Sequence, residues 1–309
     1  MEKVSSGQPP ARVNRLRLAS LVGGVLALGC LGALAYLVYK EREVLAVYVL
    51  AADRRQLLAI GVWYAVDLAI FVGVWASIME RLGASLSFWR HLSFFCAANA
   101  AKRLPGTLWY VGGRALLYTR VGTPSRTVIL GSAIEGTLTW VAGVAIAVPF
   151  LAVALPDRRW LWIGAGAVVL SVMLNPRSIR WLLRRAAKGE ELAGIRLEHV
   201  YAWLGLYVGG WIVGGALLAS VVALFQPVSA GQYPWIVGSW ATAGSASMLV
   251  TFLPSNFGLT EVALTALLGQ IVPAGVAVLV AVGARVLITL LDIVGGGLAL
   301  ASERFLDWH

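Results

Sequence analysis

Four ionisable side chains stand out in a chain that carries little charge elsewhere: Arg114, Glu135, Glu261 and Arg285. Each lies in or beside a long apolar run. An arginine at the centre of a membrane helix costs roughly 2.5–3.5 kcal/mol on insertion scales. Such a charge is tolerated when it is paired, faces a wet cavity or holds a ligand. The chemistry open to these residues is therefore ion pairing, proton carriage or anion binding. Asp67 and Asp292, each on an otherwise apolar helix, are further candidates for coupling to an ion.

The four charges follow a pattern. Leu104-Pro105 is followed by Gly112-Gly113-Arg114 and then by Glu135 in a long apolar run, while Leu253-Pro254 is followed by Gly258, Glu261 and then Arg285 in another. Glu135 comes 30 residues after Pro105, and Arg285 comes 31 residues after Pro254. The order of charge is exchanged, arginine then glutamate in the first copy and glutamate then arginine in the second. Two pairings follow, Arg114 with Glu135 and Glu261 with Arg285. Their role stays open between pinning each broken helix to the next span and taking part in transport.

The first break carries more chemistry than the second. Lys102 and Arg103 precede Pro105-Gly106, and proline suits the first turn of a helix. A helix starting there directs unpaired N–H groups and a positive dipole end toward any anion. Lys102 and Arg103 either snorkel to the interface or complete, with Arg114 close by in sequence, a phosphate cradle. The second break offers Ser255, Asn256, Gly258 and backbone groups, with no basic residue.

The elements that must position these residues are membrane helices. Of 309 residues, 59% are hydrophobic and 13% charged, and the mean hydropathy is +0.80. Soluble domains carry about 25% charged residues, so this chain cannot cover a water-facing surface. Long apolar runs at Leu18–Tyr39, Leu57–Met79, Thr127–Leu155, Trp160–Leu174, Tyr201–Phe225 and Gly275–Ala301 read as spans, against the ~20 residues that cross about 30 Å of hydrocarbon. Phe88–Ala101 with Thr107–Tyr118, and Pro234–Leu253 with Leu259–Ile271, read as helical hairpins broken at the prolines. Tryptophans near the ends of these runs (Trp63, Trp89, Trp160, Trp162, Trp203, Trp235, Trp308) read as an interfacial belt.

The fold expected is an all-α integral membrane protein. It is an inverted repeat of span–re-entrant hairpin–span, with an extra N-terminal span and a linking span. Residues 1–17 form a cytoplasmic tail and 18–301 a single transmembrane domain, with repeat one at about 57–155, the linking span at 160–174 and repeat two at about 200–301. Residues 302–309 form a cytoplasmic C-terminus. The loop Pro176–Glu198 holds Arg177, Arg180, Arg184, Arg185, Lys188 and Arg196, which places it on the cytoplasmic side. The uncharged stretch Gln226–Tyr233 then lies outside, and both termini lie inside. One linking span between the copies makes the second enter from the opposite face, as in transporters whose broken helices meet near the midplane.

Other chemistries lack their residues. No GxxxxGK[ST] loop, HExxH motif or GxSxG elbow occurs. His91, His199 and His309 are isolated in sequence, so no metal and no cofactor are expected. The net charge of +10 is spread over short loops, with no basic stripe interleaved with aromatics for nucleic acid. Cys30 and Cys96 read as packing residues. Gly295-Gly296-Gly297 reads as a close helix contact.

The pattern Asn99…Pro105-Gly106…Gly112-Gly113-Arg114…Glu135, with Pro254…Gly258…Glu261…Arg285, resembles the flippase-like membrane domain of bacterial lysylphosphatidylglycerol synthases. The resemblance covers about Leu18–Ala301. It departs at the second motif, which in that family usually reads Pro-Gly-Gly-x-Gly-x-x-Glu and here reads Pro254-Ser255-Asn256-Phe257-Gly258-Leu259-Thr260-Glu261. The cytosolic aminoacyl-transferase domain of those synthases has no counterpart here, so synthesis of aminoacylated lipid is not expected and their substrate is not inherited. No nucleophile–base pair stands out in the spans, so no enzyme activity is expected.

The resemblance and the repeat together predict a non-enzymatic membrane lipid translocase in the cell membrane. Its substrate would be an anionic phospholipid or a polyprenyl-phosphate-linked glycolipid, bound through its head group. Substrate contacts are expected from Asn99, Lys102, Arg103, Pro105, Gly106, Arg114, Glu135, Pro254, Asn256, Gly258, Glu261 and Arg285. Two alternatives stand beside this reading. One is an ion-coupled small-molecule secondary transporter, with Glu135, Glu261 or Asp67 carrying protons. The other is a non-transporting membrane subunit of a glycolipid pathway, with a glycosyltransferase as its partner. Glycine-rich helix faces permit a homodimer.

Overall fold

The computed structural model describes residues 53–101, 108–178, 194–249 and 259–306. Among these residues the chain is helical, with no strand. The helices are α1 (Arg54–Arg81), α2 (Phe88–Ala101), α3 (Leu108–Arg120), α4 (Ser125–Ala154), α5 (Arg159–Leu174), α6 (Leu197–Val222), α7 (Tyr233–Leu249), α8 (Leu259–Leu268) and α9 (Ala274–Leu306). The expected N-terminal tail and first span, the breaks at Lys102–Gly106 and Pro254–Gly258, and most of the arginine-rich loop lie outside the described residues.

Four of these helices are long and apolar enough to cross a membrane: Arg54–Arg81, Ser125–Ala154, Leu197–Val222 and the portion Ala274–Ala299 of α9. They hold 28, 30, 26 and 26 residues; at 1.5 Å per residue each rises about 39–45 Å, more than the hydrocarbon core requires. The protein is an all-α membrane protein. The other helices are shorter. α2 and α3 have 14 and 13 residues, and α7 and α8 have 17 and 10, rises of about 15–26 Å. The expected linking span is α5, whose 16 residues rise only about 24 Å. α9 runs on to Leu306, five residues into the stretch read as a C-terminal tail, because Ser302, Glu303 and Arg304 continue the helix as its last turn.

Named contacts set the helix directions. The Gln56 side chain donates to the Ala223 carbonyl at 3.0 Å, and Gly194 lies against the Arg81 carbonyl, so α1 and α6 run antiparallel along their whole length. His91 and Phe94 near the start of α2 meet Tyr118 near the end of α3; these two helices also run antiparallel. Gln232 and Trp235 donate to the carbonyls of Ile271 and Leu267, which makes α7 and α8 a second antiparallel pair. The open end of the first pair lies with exposed Arg81, Arg120, Arg126 and Arg196. The open end of the second lies with the opposite helix ends, where Arg54, Arg55 and Arg158 are offset by Asp53 and Asp157.

Both turns at the arginine-rich end use a glycine for the same reason. Gly83 and Gly122 have φ of +88° and +85°, a left-handed conformation that side chains disfavour. The chain closes behind each with a bond that reaches back five residues, Ala84 N–H to the Met79 carbonyl at 2.9 Å and Thr123 N–H to the Tyr118 carbonyl at 3.0 Å. These bonds satisfy the orphan carbonyls that end α1 and α3.

Close packing elsewhere depends on small residues. A methyl group added at Gly143 on α4 would lie 2.2 Å from Ser245 Oγ on α7 and 2.8 Å from the Trp211 ring on α6. Three helices therefore approach one another where hydrogen is the only side chain that fits. Trp203, read as part of the interfacial belt, is instead buried at 3% exposure. It faces inward because its indole N–H donates to Ser77 Oγ on α1 at 3.0 Å.

Two ion pairs as the candidate functional site

Arg114 comes from the middle of α3 and Glu135 from the second turn-pair of α4. Their side chains meet with Arg114 Nη1 2.5 Å from Glu135 Oε2 and Nη2 3.4 Å from Oε1, a two-pronged pairing that suits the planar guanidinium. The Tyr110 hydroxyl donates to the same carboxylate at 3.2 Å. The guanidinium carbon lies 3.9 Å from the Trp75 ring centroid, 4.2 Å from that of Tyr110 and 4.4 Å from that of Phe95. Aromatic faces attract a cation through their quadrupoles. Arg114 is thus boxed by rings from α1, α2 and α3 and by a carboxylate from α4, with no exposed surface.

A hydrogen-bonded chain leads away from this box. The Trp75 indole N–H donates to the Tyr118 hydroxyl at 2.7 Å, and that oxygen lies 2.5 Å from His91 Nδ1. With Nδ1 unprotonated it accepts the Tyr118 hydrogen, while the Tyr118 oxygen accepts from Trp75. His91 is 2% exposed. Read from sequence it stood alone; in three dimensions it fixes the entry of α2 to the exit of α3.

The second pair joins Glu261, in the first turn of α8, to Arg285 on α9. Arg285 Nη1 donates to Glu261 Oε1. This pair is more open: the Arg285 and Glu261 side chains keep 21% and 19% of their surface exposed, against 0% and 7% for Arg114 and Glu135. A negative side chain in the first turn of α8 also complements the positive end of that helix.

The structure therefore brings together both pairs that the spacing predicts. Asp292 is 6% exposed and accepts from the Tyr64 hydroxyl at 2.9 Å, which links α9 to α1. Asp67 is half-buried one turn beyond Tyr64 on α1. Asn99 is half-buried, and its Oδ1 has no hydrogen-bond partner among the described residues. Lys102, Arg103, Pro105, Gly106, Pro254, Asn256 and Gly258 lie outside the described residues.

Sequence reasoning missed the aromatic box, Tyr64 and the His91–Tyr118–Trp75 chain. A signal for the box existed in the spacing of Tyr110 and Arg114, which a helix places on one face. Trp75 and Phe95 come from other helices and gave none. No family model matches this sequence, and no curated protein matches it.

Proposed function

We propose that this chain is a lipid translocase of flippase-like type. It would move an anionic phospholipid or a polyprenyl-phosphate-linked glycolipid across the cell membrane between two oppositely entering helical hairpins. The observation that carries this reading is the correspondence between halves. α1–α2–α3–α4 and α6–α7–α8–α9 have matching long–short–short–long helices. Each short pair is tethered to the following long helix by an arginine–glutamate contact, with the charges exchanged. Packing supports the match as well. α2 packs on α9, and its counterpart α7 packs on α4, the counterpart of α9. α1 and α6, the counterparts of each other, pack together. A two-fold axis in the membrane plane generates these exchanged contacts, and inverted repeats of transporters have such an axis.

Short helix pairs entering from opposite ends fit re-entrant hairpins, since helices of about 15–26 Å reach well into a 30 Å core. The arginine-rich end is the cytoplasmic one by the positive-inside rule. The first hairpin then opens to the cytoplasm and the second to the outside, with both termini inside. This arrangement is also that of the resemblance to the lysylphosphatidylglycerol synthase membrane domain, which we retain as part of the proposal. The test is purified protein in vesicles holding a head-group-labelled phosphatidylglycerol. Translocase activity brings inner-leaflet label within reach of an external quencher such as dithionite, faster than in protein-free vesicles. Equal quenching in both sets of vesicles refutes the reading.

A further inference from the structure

The two ion pairs are alike in chemistry and unlike in access, and the difference divides their labour. We infer that Arg285 is the cation that receives the phosphate of the lipid head group, that Glu261 is its resident counter-ion, and that Arg114 is a fixed structural cation. This inference rests on the translocase reading and names which half of the molecule recognises the substrate.

Arg114 cannot serve a ligand in this arrangement. It has no exposed surface, three rings lie within 4.4 Å of its guanidinium carbon, and a carboxylate takes two of its nitrogens. A phosphate would have to part α1, α2, α3 and α4 to reach it. Arg285 is the more accessible of the two cations. About a fifth of its side chain is already exposed, as is about a fifth of its partner's. Glu261 sits on a helix of only 10 residues. Leu259 and Val262, on either side of it in sequence, are 37% and 68% exposed, so the carboxylate lies within a turn of the lipid-facing surface. Acyl chains can stay along that surface while a head group turns inward.

The exchange is chemically even. Phosphate and carboxylate both accept paired hydrogen bonds from a guanidinium fork. Glu261 also places a negative charge at the first turn of α8, and a phosphate bound there would satisfy the same helix end. Arg285 would pass from one anion to the other without being left unpaired inside the membrane, which is the state that costs most.

The test uses the full-length protein in detergent micelles and an arginine-selective reagent, phenylglyoxal, with modified residues located by mass spectrometry. Phosphatidylglycerol is added in one series and phosphatidylcholine in another. The expected result is that Arg285 is modified, Arg114 is not, and phosphatidylglycerol slows modification of Arg285 several-fold relative to phosphatidylcholine. Arg196, exposed at the surface, reports general reactivity and changes equally in both series. Equal modification of Arg114 and Arg285, or equal rates at Arg285 with the two lipids, overturns the inference. Glu261→Gln adds a second readout: with its counter-ion neutralised, Arg285 should be protected by several-fold less phosphatidylglycerol. No change in the protecting concentration counts against the exchange. Protection without translocation in vesicles leaves the head-group site standing and removes the translocase reading. Translocation without protection does the reverse.

Discussion

Removing Glu135 should damage the fold far more than removing Glu261, and the structure indicates by how much. Arg114 is wholly buried, and once the carboxylate is gone the rings of Trp75, Phe95 and Tyr110 remain around it among the described residues. Losing one partner of a buried pair costs about 3–5 kcal/mol, because a desolvated charge is left uncompensated. The rings attract the cation by about 0.5–2 kcal/mol each, but they do so in the native protein too, so they hold the side chain in place without replacing its counter-charge. Glu135→Ala should therefore fall within that 3–5 kcal/mol range. Glu261→Ala, in a pair one-fifth exposed, should fall between this and the roughly 0–1 kcal/mol of an exposed bridge. Replacing both members of the buried pair, Arg114→Met with Glu135→Leu, should recover most of the loss, since a buried pair is often neutral against apolar residues of similar size. Thermal unfolding in detergent, followed by tryptophan fluorescence, ranks the variants. Two results refute the reasoning: a Glu135→Ala protein that melts with the wild type, or a double variant that melts no higher than the single one.

Three further outcomes follow from named contacts. Gly143→Val should destabilise the protein by about 1–3 kcal/mol through overpacking, because Ser245 and Trp211 already occupy the space; Gly136→Ala, where nothing lies within 4 Å, should melt like the wild type. Tyr118→Phe strands the Trp75 N–H and His91 Nδ1 in a buried site, at about 1–3 kcal/mol for each group. A melting temperature equal to wild type would show that the chain is not formed. Gly122→Ala should cost about 1 kcal/mol at its positive φ, and Gly122→Asn less, as read from the same melting curves.

The parts legible in the sequence were those where polarity contrasts with a uniform background. A charge inside an apolar run is conspicuous, so Arg114, Glu135, Glu261 and Arg285 could be paired by counting from Pro105 and Pro254. Helix limits were legible too, with Thr127–Leu155 read from hydropathy against the observed Ser125–Ala154. What stayed hidden was the direction in which apolar side chains face. A helix that is hydrophobic all round gives no amphipathic signal separating core from lipid. For that reason Trp203 has the sequence position of a belt residue although it is buried, while Trp89 and Trp160 are 69% and 73% exposed. The rest of the box around Arg114 was illegible for a related reason: Trp75 and Phe95 lie on two other helices whose neighbourhood only the folded topology supplies.

The opposed entry of the two hairpins is the claim on which the rest depends, and chemical labelling from one side of the membrane tests it most directly. In a background with Cys30 and Cys96 replaced by alanine, Ser85→Cys marks the mouth between α1 and α2, and Ser229→Cys marks the mouth between α6 and α7. An impermeant maleimide applied to intact cells should label Ser229→Cys and spare Ser85→Cys until the membrane is opened. Labelling of both from outside, or of neither until the membrane is opened, would contradict the account.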